Sequence, residues 1–498
     1  MGTYILAHDL GTSGNKASLF DEAGQLIGSC TKSYWVTYLN ETWAEQNPDD
    51  WWQAVCSATR ELLEVTGVEA SAVKVVSFSG QMMGCLNVDR SGRPLRNAII
   101  WADQRAEQQM KSLTKQISDV DFYQTTGHRN TSSYGLQKLM WVRDNQPEIY
   151  RDTYKVLNAK DYIVWKLTGQ FLTDYSDAAS MDCFDIHKLK WSERILDIAD
   201  IDSDKLPEAM PSTHIAGEVH QKAADEVRLR AGTTVVIGAG DGVTANIGAG
   251  SVKPGKAFCC MGTSAWVATS AEEPVLDPAR RFICWPHAIP GLYSPNGTMQ
   301  YAGGAFDWLK ATANQLNPEL TYEELIEMAK RSEAGCGGVI FLPHLLGERA
   351  PRWNAYAKAG FLGVREETKA EDFARSVMEG VAFNLNLSLE ALAEFVPIEE
   401  MVLIGGGARN ELWREILASV FNHSLKIPAA VAAGNSMGAA VIGGVATGIY
   451  KDFEVVADFL EFNNQQKPNS KWWEIYKKHQ RLFCNCYEVL EPLFEQMS

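Results

Sequence analysis

The sequence predicts an α/β protein built from two similar domains. Short apolar segments with strand character alternate with helical segments along the chain, which favours α/β architecture over all-α or all-β folds. An apolar strand, a Gly-Thr-Ser turn and a second apolar strand occur twice, over residues 5–20 and 257–269. Because roughly half the chain separates the two copies, we expect one in each half of a duplicated fold.

The length of 498 residues, 46% of them hydrophobic, supports this division. A single hydrophobic core stops growing beyond about 250–300 residues, so two domains are expected. We place the boundary near residues 242–256, before the second strand-turn-strand copy. The predicted domains cover residues 1–246 and 247–498.

Strands are predicted where short apolar runs are bounded by turn residues. The runs are Tyr4–His8, Lys16–Phe20, Val73–Ser77, Thr233–Gly238, Lys256–Met261, Ser264–Thr269, Gly338–Leu342 and Glu400–Ile404.

Three helices carry start and stop signals. The helix predicted over Pro48–Val65 has Pro48 and two aspartates at its start, and Gly67 follows its end. The other two cover Lys369–Leu392 and Lys471–Gln496. Steps of three and four residues along the last helix predict one buried face. That face comprises Trp472, Ile475, His479, Leu482, Cys486, Val489 and Leu493.

The charge balance argues against two kinds of partner. Lys and Arg total 46, Asp and Glu total 62, and the formal charge is −16, which disfavours nucleic-acid binding and anionic membrane surfaces. A phosphate ligand would then be held locally by backbone N–H groups, one or two basic side chains, or a metal ion. Ten cysteines without C-x-x-C spacing indicate reduced thiols in a cytoplasmic protein.

One segment, Ile427–Tyr450, carries no charge and in this respect resembles a membrane span. Its interior is rich in Gly and Ala and contains Pro428, Asn435 and Ser436. We therefore expect a tightly packed helix of a soluble protein, in which the small residues allow close approach to neighbouring backbone.

The Gly-Thr-Ser turn is a candidate phosphate-binding loop, because it exposes backbone N–H groups and hydroxyls. One copy alone is an ordinary hairpin, but two copies facing each other could hold a polyphosphate from both sides. In the first copy Asp9 precedes the turn and could hold hydrated Mg²⁺, while Lys16 follows it and could neutralise phosphate charge. The residues of the two turns are Gly11, Thr12, Ser13, Gly262, Thr263 and Ser264.

A second candidate site lies in the glycine-rich stretch around Asp241. Gly240 and Gly242 flank this aspartate, so a substrate could come close to its carboxylate. General-base catalysis on an alcohol needs such access. The alternative interpretation is an aspartate that merely ends a strand in a turn.

Three consecutive glycines, Gly405, Gly406 and Gly407, stand at a predicted strand–helix junction. They would let an adenine or ribose lie against the backbone, although a triple glycine alone is weak evidence. The stretch fails the dinucleotide-binding fingerprint, because Asn410 stands where the third glycine is required.

Polar and aromatic residues after the predicted strand at residues 73–79 could contact a sugar. Tryptophan offers a face to the C–H side of a sugar, while Asp and Arg provide directional hydrogen bonds; each could equally be structural. The candidates are Gln81, Met82, Met83, Trp101, Asp103 and Arg105.

These residues resemble the FGGY family of carbohydrate kinases over nearly the whole chain. Residues 359–380, AGFLGVREETKAEDFARSVMEG, are similar to the second family signature almost position for position. The first signature, SYGLQKLMWVRDN, departs from the family at Gly135, where Pro, Ser or Thr is usual. The other matches are Asp9-x-Gly11-Thr12 and Gly262-Thr263-Ser264 for the phosphates, Gly405-Gly406-Gly407-Ala408-x-Asn410 for adenosine, and Asp241 at the catalytic aspartate.

The resemblance implies two ribonuclease-H-like domains of the actin-like ATPase type, with a catalytic cleft between them. It implies ATP and Mg²⁺ in that cleft, with Asp9 and Asp241 near the metal. Asp241 would take the proton from a sugar hydroxyl as the hydroxyl attacks the γ-phosphate. The ATP-binding residues would also include Lys16, Gly303, the three glycines and Asn410.

The sequence leaves the sugar open. GQMMG and IIWADQR resemble xylulokinase motifs, but Met83 replaces a histidine, Ala102 replaces an asparagine, and Gly242 stands where Asn is usual. WAD-x-R, DGV-x-AN and GERAP-x-WN, the last over residues 347–354, are similar to gluconate kinases. We expect a pentulose such as D-xylulose, with gluconate or another ketose or polyol as alternatives.

Two other classes compete with a sugar kinase: an actin-like nucleotide switch without sugar chemistry, and a dinucleotide-dependent dehydrogenase supported only by glycine-rich stretches. The expected partners are the sugar and ATP, without nucleic acid or membrane. The oligomeric state stays open, a homodimer included.

Overall fold

The computed structural model describes residues 2–40, 42–429 and 434–497. The N-terminal half ends with helix α10. Its strands are β1 Tyr4–Leu10, β2 Gly14–Asp21, β3 Leu26–Ser33, β4 Thr37–Tyr38, β5 Ala44–Gln46, β6 Val73–Gly80, β7 Leu86–Val88, β8 Ala98–Ile99, β9 Lys155–Leu157, β10 Leu172–Asp174, β11 Phe184–Asp185, β12 Lys190–Trp191, β13 Glu208–Met210, β14 Ile215–Glu218, β15 Thr234–Val236 and β16 Ala239–Gly240. Its helices are α1 Pro48–Thr66, α2 Glu107–Thr114, α3 Asp119–Thr126, α4 Gly135–Asn145, α5 Pro147–Asp152, α6 Ala159–Thr168, α7 Tyr175–Ala179, α8 Glu193–Ala199, α9 Gln221–Val227 and α10 Asp241–Gly248.

The C-terminal half is likewise built from both strands and helices. Its strands are β17 Gly255–Met261, β18 Ala265–Thr269, β19 Ile283–Pro286, β20 Tyr293–Met299, β21 Ile340–Leu342, β22 Gly360–Leu362, β23 Ile398–Ile404, β24 Leu425–Pro428 and β25 Phe462–Gln466. Its helices are α11 Gly303–Ala313, α12 Tyr322–Arg331, α13 Ala370–Ala393, α14 Glu411–Phe421, α15 Gly434–Ala446, α16 Val456–Phe459 and α17 Ser470–Phe494.

Each half contains one seven-stranded mixed sheet with the same central arrangement. The first sheet has the order β14-β15-β6-β1-β2-β3, with β16 also paired to β6. The second has the order β19-β20-β18-β17-β23-β24-β25. In each sheet a central strand, β1 or β17, pairs antiparallel with its hairpin partner on one side and parallel with the next strand on the other. The duplicated α/β fold predicted from the two Gly-Thr-Ser copies is confirmed.

Local sequence signals determine where helix α1, which follows the first five strands, begins and ends. Asn47 caps α1 by accepting a hydrogen bond from the Asp49 N–H at 3.1 Å, and Pro48 occupies the first turn, where no N–H is needed. Gly67 ends the helix with φ 66°, a left-handed conformation that favours glycine. The predicted start is therefore confirmed, and the helix extends one residue further, to Thr66.

Helices α10 and α15 each pack against the sheet of the other half. In α10, Ala245 and Ala249 pack against Phe258 and Val402 of the second sheet. In α15, residues 439–442 pack into the cluster that covers β1 and β6 of the first sheet. Each sheet therefore has one face covered by a helix from the other half.

The segment from residue 427 to 450 is not one helix. It contains the end of β24 and helix α15, while residues 430–433 lie outside the described part of the chain. The expected close packing is found: a Cβ on Gly438 would lie 2.1 Å from the Thr244 carbonyl oxygen of α10. Among the described helices, none is both long and apolar enough to cross a bilayer.

The predicted buried face of the C-terminal helix is wrong. Its most exposed members include Val489, 75% exposed, Leu482, 41%, and Ile475, 37%. The aromatic residues of α17 occupy the core instead, because they bury more area and because the Tyr476 hydroxyl lies 2.8 Å from both Arg375 and Glu379. The buried stripe consists of Tyr476, Phe483, Tyr487 and Phe494.

Candidate active site

Two aspartates meet at the carboxyl edge of the first sheet. Asp9 is near the end of β1, and Asp241 directly follows β16 as the first residue of α10. Strands β1 and β16 both pair with β6, where Ser79 is the register partner of Asp9 and of Ala239. Carboxyl ends of parallel strands meet at one edge of a sheet, so the topology brings both carboxylates to one place.

Burial and mutual repulsion perturb this pair. Burial, together with the charge of Asp9, raises the pKa of Asp241 to about 7. Burial also raises the pKa of Asp9, opposed by hydrogen bonds from Ser79 and Asn435 and by the charge of Lys16. A carboxylate that titrates near neutrality is suited to accept a proton at the working pH of a cell.

Three hydrogen bonds hold the start of α10. The N–H of Gly240 donates to Ser176 Oγ at 2.9 Å, and the N–H of Gly242 donates to Asp241 Oδ1 at 2.7 Å. The Thr244 hydroxyl donates to Ser79 Oγ at 2.9 Å. Because Ser79 also bonds Asp9, it links the strand that carries one aspartate to the helix that carries the other.

The first Gly-Thr-Ser turn is anchored by its neighbours. Lys16 is the cross-strand partner of Asp9, and burial lowers the pKa of this lysine. The N–H of Gly11 donates to the Gly14 carbonyl at 3.0 Å. The Thr12 hydroxyl accepts from Trp101 Nε1 at 2.8 Å, which leaves its own proton free to donate, and Ser13 is exposed.

The second turn and the start of α11 form one unit. The N–H of Gly303 donates to the Gly262 carbonyl at 2.9 Å, and the N–H of Gly304 donates to the Thr263 carbonyl at 3.1 Å. A Cβ on Gly303 would lie 2.4 Å from the Gly262 oxygen, so only glycine fits. Ser264 follows the turn, and its carbonyl accepts from the Gly262 N–H at 2.9 Å.

The triple-glycine loop packs directly beneath the second turn. A Cβ on Gly405 would lie 2.5 Å from the Met261 carbonyl oxygen, and one on Gly407 would lie 2.8 Å from the Met261 side chain. A Cβ on Gly406 meets nothing within 4 Å, so this residue faces open space. Asn410 caps helix α14 by accepting from the Trp413 N–H at 3.1 Å.

The two halves touch at the aspartates. Asn435 of α15 donates to Asp9 Oδ1 at 3.5 Å. Burial raises the pKa of the Cys260 thiol, with a contribution from the charge of Asp241. Cys260 is two residues before the second turn, so Asp241 lies near the region where that turn begins.

Four of the predicted sugar contacts are near the first turn. Gln81 is buried and donates to Gln46 at 2.7 Å, while its own side-chain oxygen has no hydrogen-bond partner among the described residues. Met82 packs beneath Gly240, where a Cβ would lie 2.5 Å from its side chain. Met83 and Trp101 are half-buried.

Asp103 and Arg105 already have protein partners. The Asp103 carboxylate accepts from the Ala44 N–H at 2.6 Å and pairs with Arg105 at 2.7 Å. Arg105 also pairs with Glu45 at 2.8 Å and stacks over Trp43. The geometry favours the structural alternative for these two residues, which brace the loop that carries Trp101.

Two functional candidates were missed by sequence reasoning. The Arg349 guanidinium extends from the C-terminal half to 6.0 Å from the Trp101 ring centre, and Tyr134 contributes to its electrostatic surroundings. Lys138 is fully buried behind the same loops. Both residues belong to motifs quoted above, but spacing alone does not reveal contacts across such long separations.

This arrangement defines an enzyme class: a two-domain phosphotransferase whose cleft joins two phosphate-type turns to a half-buried carboxylate. The sequence matches the FGGY family of carbohydrate kinases, N-terminal domain, over residues 4–248 and the C-terminal domain over residues 257–447. The chain belongs to this family. It is an ATP-dependent carbohydrate kinase, and the predicted actin-like fold is confirmed by the solved structures it matches.

Relatives named gluconokinase and relatives named xylulose kinase both match this chain over almost their full length. The chain is 30% identical to the gluconokinase of Bacillus licheniformis, covering 100% of this chain and 98% of the relative. It is 30% identical to the xylulose kinase of Bacillus subtilis, with 98% of each chain covered. Structures of a gluconate kinase and a ligand-bound xylulose kinase from Lactobacillus acidophilus each match with a TM-score of 0.94, 26% identity and full coverage of both chains.

Proposed function

We propose that the enzyme transfers the γ-phosphate of ATP to a hydroxyl of a pentulose such as D-xylulose, with Asp241 as the general base. The observation that carries the catalytic part is the pKa of about 7 for this half-buried carboxylate at the junction of the two halves. The GQMMG and WADQR stretches and the relatives named xylulose kinase support the pentulose.

In the proposed reaction each group of residues has a separate role. Asp241 removes the proton of the attacking hydroxyl. The two Gly-Thr-Ser turns and Lys16 hold the phosphates, while Gly406 and its flanking glycines bind adenosine beside the second turn. Closure of the two domains around the substrates would exclude water and limit hydrolysis of ATP.

The aspartate pair fits a Mg²⁺ ion. Asp9 and Asp241 supply hard oxygen donors, and no group of three or more His, Cys, Asp or Glu forms a complete metal cage within residues 2–40, 42–429 and 434–497. Two carboxylates leave coordination positions for phosphate oxygens and water, the usual arrangement for Mg²⁺. When bound, the ion would neutralise phosphate charge.

We also propose a domain boundary close to residues 246–247, at the C-terminal end of helix α10, and a cytoplasmic location. The family matches end at residue 248 and resume at residue 257. All ten cysteines are free thiols, which is consistent with a reducing compartment.

The test is an ADP-release screen with ATP, Mg²⁺ and a panel of pentuloses, hexuloses, aldonates and polyols. The proposal expects the highest kcat/KM with D-xylulose or a related pentulose, and loss of that activity in Asp241→Ala. Robust ATP binding without turnover of any acceptor would favour the nucleotide-switch alternative.

Gluconate is a second candidate, favoured by Arg349. Its guanidinium faces the cleft over Trp101, and no carboxylate of the described chain forms an ion pair with it. The neighbouring Glu348 is bound instead by His344 at 3.1 Å and Asn384 at 2.6 Å. A cation without an ion-pair partner in a closing cleft is suited to a substrate carboxylate, which gluconate has and D-xylulose lacks.

Substitution of Arg349 distinguishes between gluconate and D-xylulose as the acceptor. Arg349→Gln should raise the KM for D-gluconate much more than the KM for D-xylulose if the guanidinium binds a carboxylate. Equal increases for both sugars would remove the support for gluconate.

A further inference from the structure

Lys138 of helix α4 makes an unusual set of contacts. The side chain is 0% exposed, and its ammonium donates to three backbone carbonyl oxygens. The distances are 2.8 Å to Met83, 2.7 Å to Ile100 and 2.6 Å to Ser133. Three donors are all that a lysine has, so its hydrogen-bonding capacity is filled by main chain alone.

The three carbonyl groups come from three separate loops; two of them adjoin candidate sugar-site side chains, and the third adjoins Tyr134, which contributes to the electrostatic surroundings of Arg349. The first belongs to Met83 itself. The carbonyl of Ile100 is in the peptide bond to Trp101, and that of Ser133 is in the peptide bond to Tyr134. One buried cation therefore links all three loops, two of which are also joined by the backbone bridge between Cys85 and Ile99.

A purely packing role does not explain why a cation stands here. In the described residues no carboxylate forms an ion pair with Lys138, so its charge is balanced only by carbonyl dipoles and more distant groups. Apolar residues of similar volume fill buried positions without the desolvation cost of a charge. The contacts that require the ammonium are the three carbonyl groups.

We propose that Lys138 is a positioning residue of the sugar site, which holds Met83 and Trp101 in the arrangement that binds the acceptor. The inference rests on the proposed assignment of these loops to the sugar. Lys138 reaches the ATP-binding turns only indirectly, through the hydrogen bond from Trp101 to Thr12, so its loss should weaken acceptor binding much more than ATP binding.

The first experiment compares Lys138→Met with a matched control on the same helix, Leu139→Ala, which removes equally buried apolar volume. Steady-state ADP release is measured with D-xylulose and with D-gluconate, and folding is checked by thermal unfolding. We expect Lys138→Met to raise the acceptor KM by about 10- to 100-fold, since small misplacements of substrate carry penalties of that size. The KM for ATP should change less than about twofold, and Leu139→Ala should lower the Tm without this selective effect.

Two results would overturn the inference: an unchanged acceptor KM in folded Lys138→Met, or equal increases in the KM values for acceptor and ATP. Failure of the proposed function would look different, because the wild-type enzyme would then release no ADP with either sugar.

A second variant keeps the test decisive if Lys138→Met does not fold. Burial lowers the pKa of Lys138 to about 7, with Arg105 and Arg349 lowering it further and Asp103 and Cys85 opposing them. Above this pH the neutral amine has one donor fewer, so the wild-type acceptor KM should rise between pH 7 and pH 9. Lys138→Arg does not titrate in this range and should abolish the rise. The same alkaline rise in Lys138→Arg would contradict the inference.

Discussion

At the scale of single residues, the environment of Asp241 determines the chemistry available to the enzyme. The residue stands at a helix start, half-buried and next to a second carboxylate. These surroundings favour the protonated form until the pH reaches about 7, so the ionised base is strongly basic where it is needed.

Replacement of Asp241 by Asn should lower kcat by about 10²- to 10⁴-fold, because the amide cannot accept the hydroxyl proton. ATP affinity measured by calorimetry should persist, since the turns that hold the phosphates are intact. Asp152→Asn, at an exposed position on α5, serves as the control. Full turnover in Asp241→Asn would exclude the proposed base.

Replacement of Asp241 by Asn should also increase the stability of the protein at high pH. A carboxylate whose pKa is raised by folding stabilises the native state at low pH, and that contribution is lost as the pH rises from about 4 to about 7. At pH 8 the substrate-free Asp241→Asn enzyme should therefore be more stable than wild type, by roughly 2–4 kcal/mol at most. Denaturant unfolding at pH 4 and pH 8 measures this, and the gain should be confined to the higher pH.

Individual residues of the candidate site were predictable when a local motif marked them. Asp9, Asp241 and both Thr-containing turns are recognisable from short stretches, and the structure brings the two aspartates together. Arg349 could not be placed, because its partner Trp101 is some 250 residues away in the chain. Asp103 and Arg105 carried suitable chemistry, but sequence does not show that they bind each other.

At the scale of elements, the crossing of α10 and α15 connects packing to catalysis. A Cβ on Gly438 would lie 2.1 Å from the Thr244 oxygen, and one on Gly248 would lie 1.8 Å from the Gly434 oxygen. Thr244 is three residues after Asp241 on the same helix, so a displacement at the crossing would also move the carboxylate that is proposed as the general base.

Gly438→Ala should push the two helices apart and destabilise the protein by about 1–3 kcal/mol, the usual cost of overpacking. It should also lower kcat, because α10 carries Asp241. Gly360→Ala is the matched control, since a Cβ there meets nothing within 4 Å. Thermal unfolding and ADP release measure both effects; an unaltered Gly438→Ala enzyme would show that the crossing tolerates movement.

Periodicity located elements better than it located their buried faces. The strands of both hairpins and helix α1 agree with prediction to within a few residues. Helix α17 has two apolar stripes with the same helical spacing. The sequence pattern alone does not show which of the two is buried. The aromatic stripe is the buried one because the Tyr476 hydroxyl also forms hydrogen bonds with the buried Arg375–Glu379 pair.

At the scale of the whole molecule, the sequence predicted that the fold is duplicated. It did not predict that α10 and α15 each pack on the sheet of the other half. The two Gly-Thr-Ser copies revealed the repeat because each keeps its local pattern. The packing of α10 and α15 depends on which sheet face each helix covers, and a Gly/Ala-rich segment is compatible with either.

Because each half contributes a helix to the other, we expect the two domains to unfold together. Differential scanning calorimetry should show one cooperative transition, and ATP with Mg²⁺ at 100 times Kd should stabilise the whole chain by about 2.7 kcal/mol. A variant with weakened ATP binding, Gly406→Trp, should show the same single transition without the shift. Two separate transitions, of which ATP moves only one, would disprove this coupling.

The exchange of helices also has a consequence during synthesis on the ribosome. The strands of the first sheet are complete by residue 240, but the helix that covers one face of that sheet is finished only at residue 446. At about 5–20 residues per second, the intervening stretch takes on the order of 10–40 s to translate. Throughout that interval the nascent chain presents an uncovered apolar surface, a natural target for chaperones.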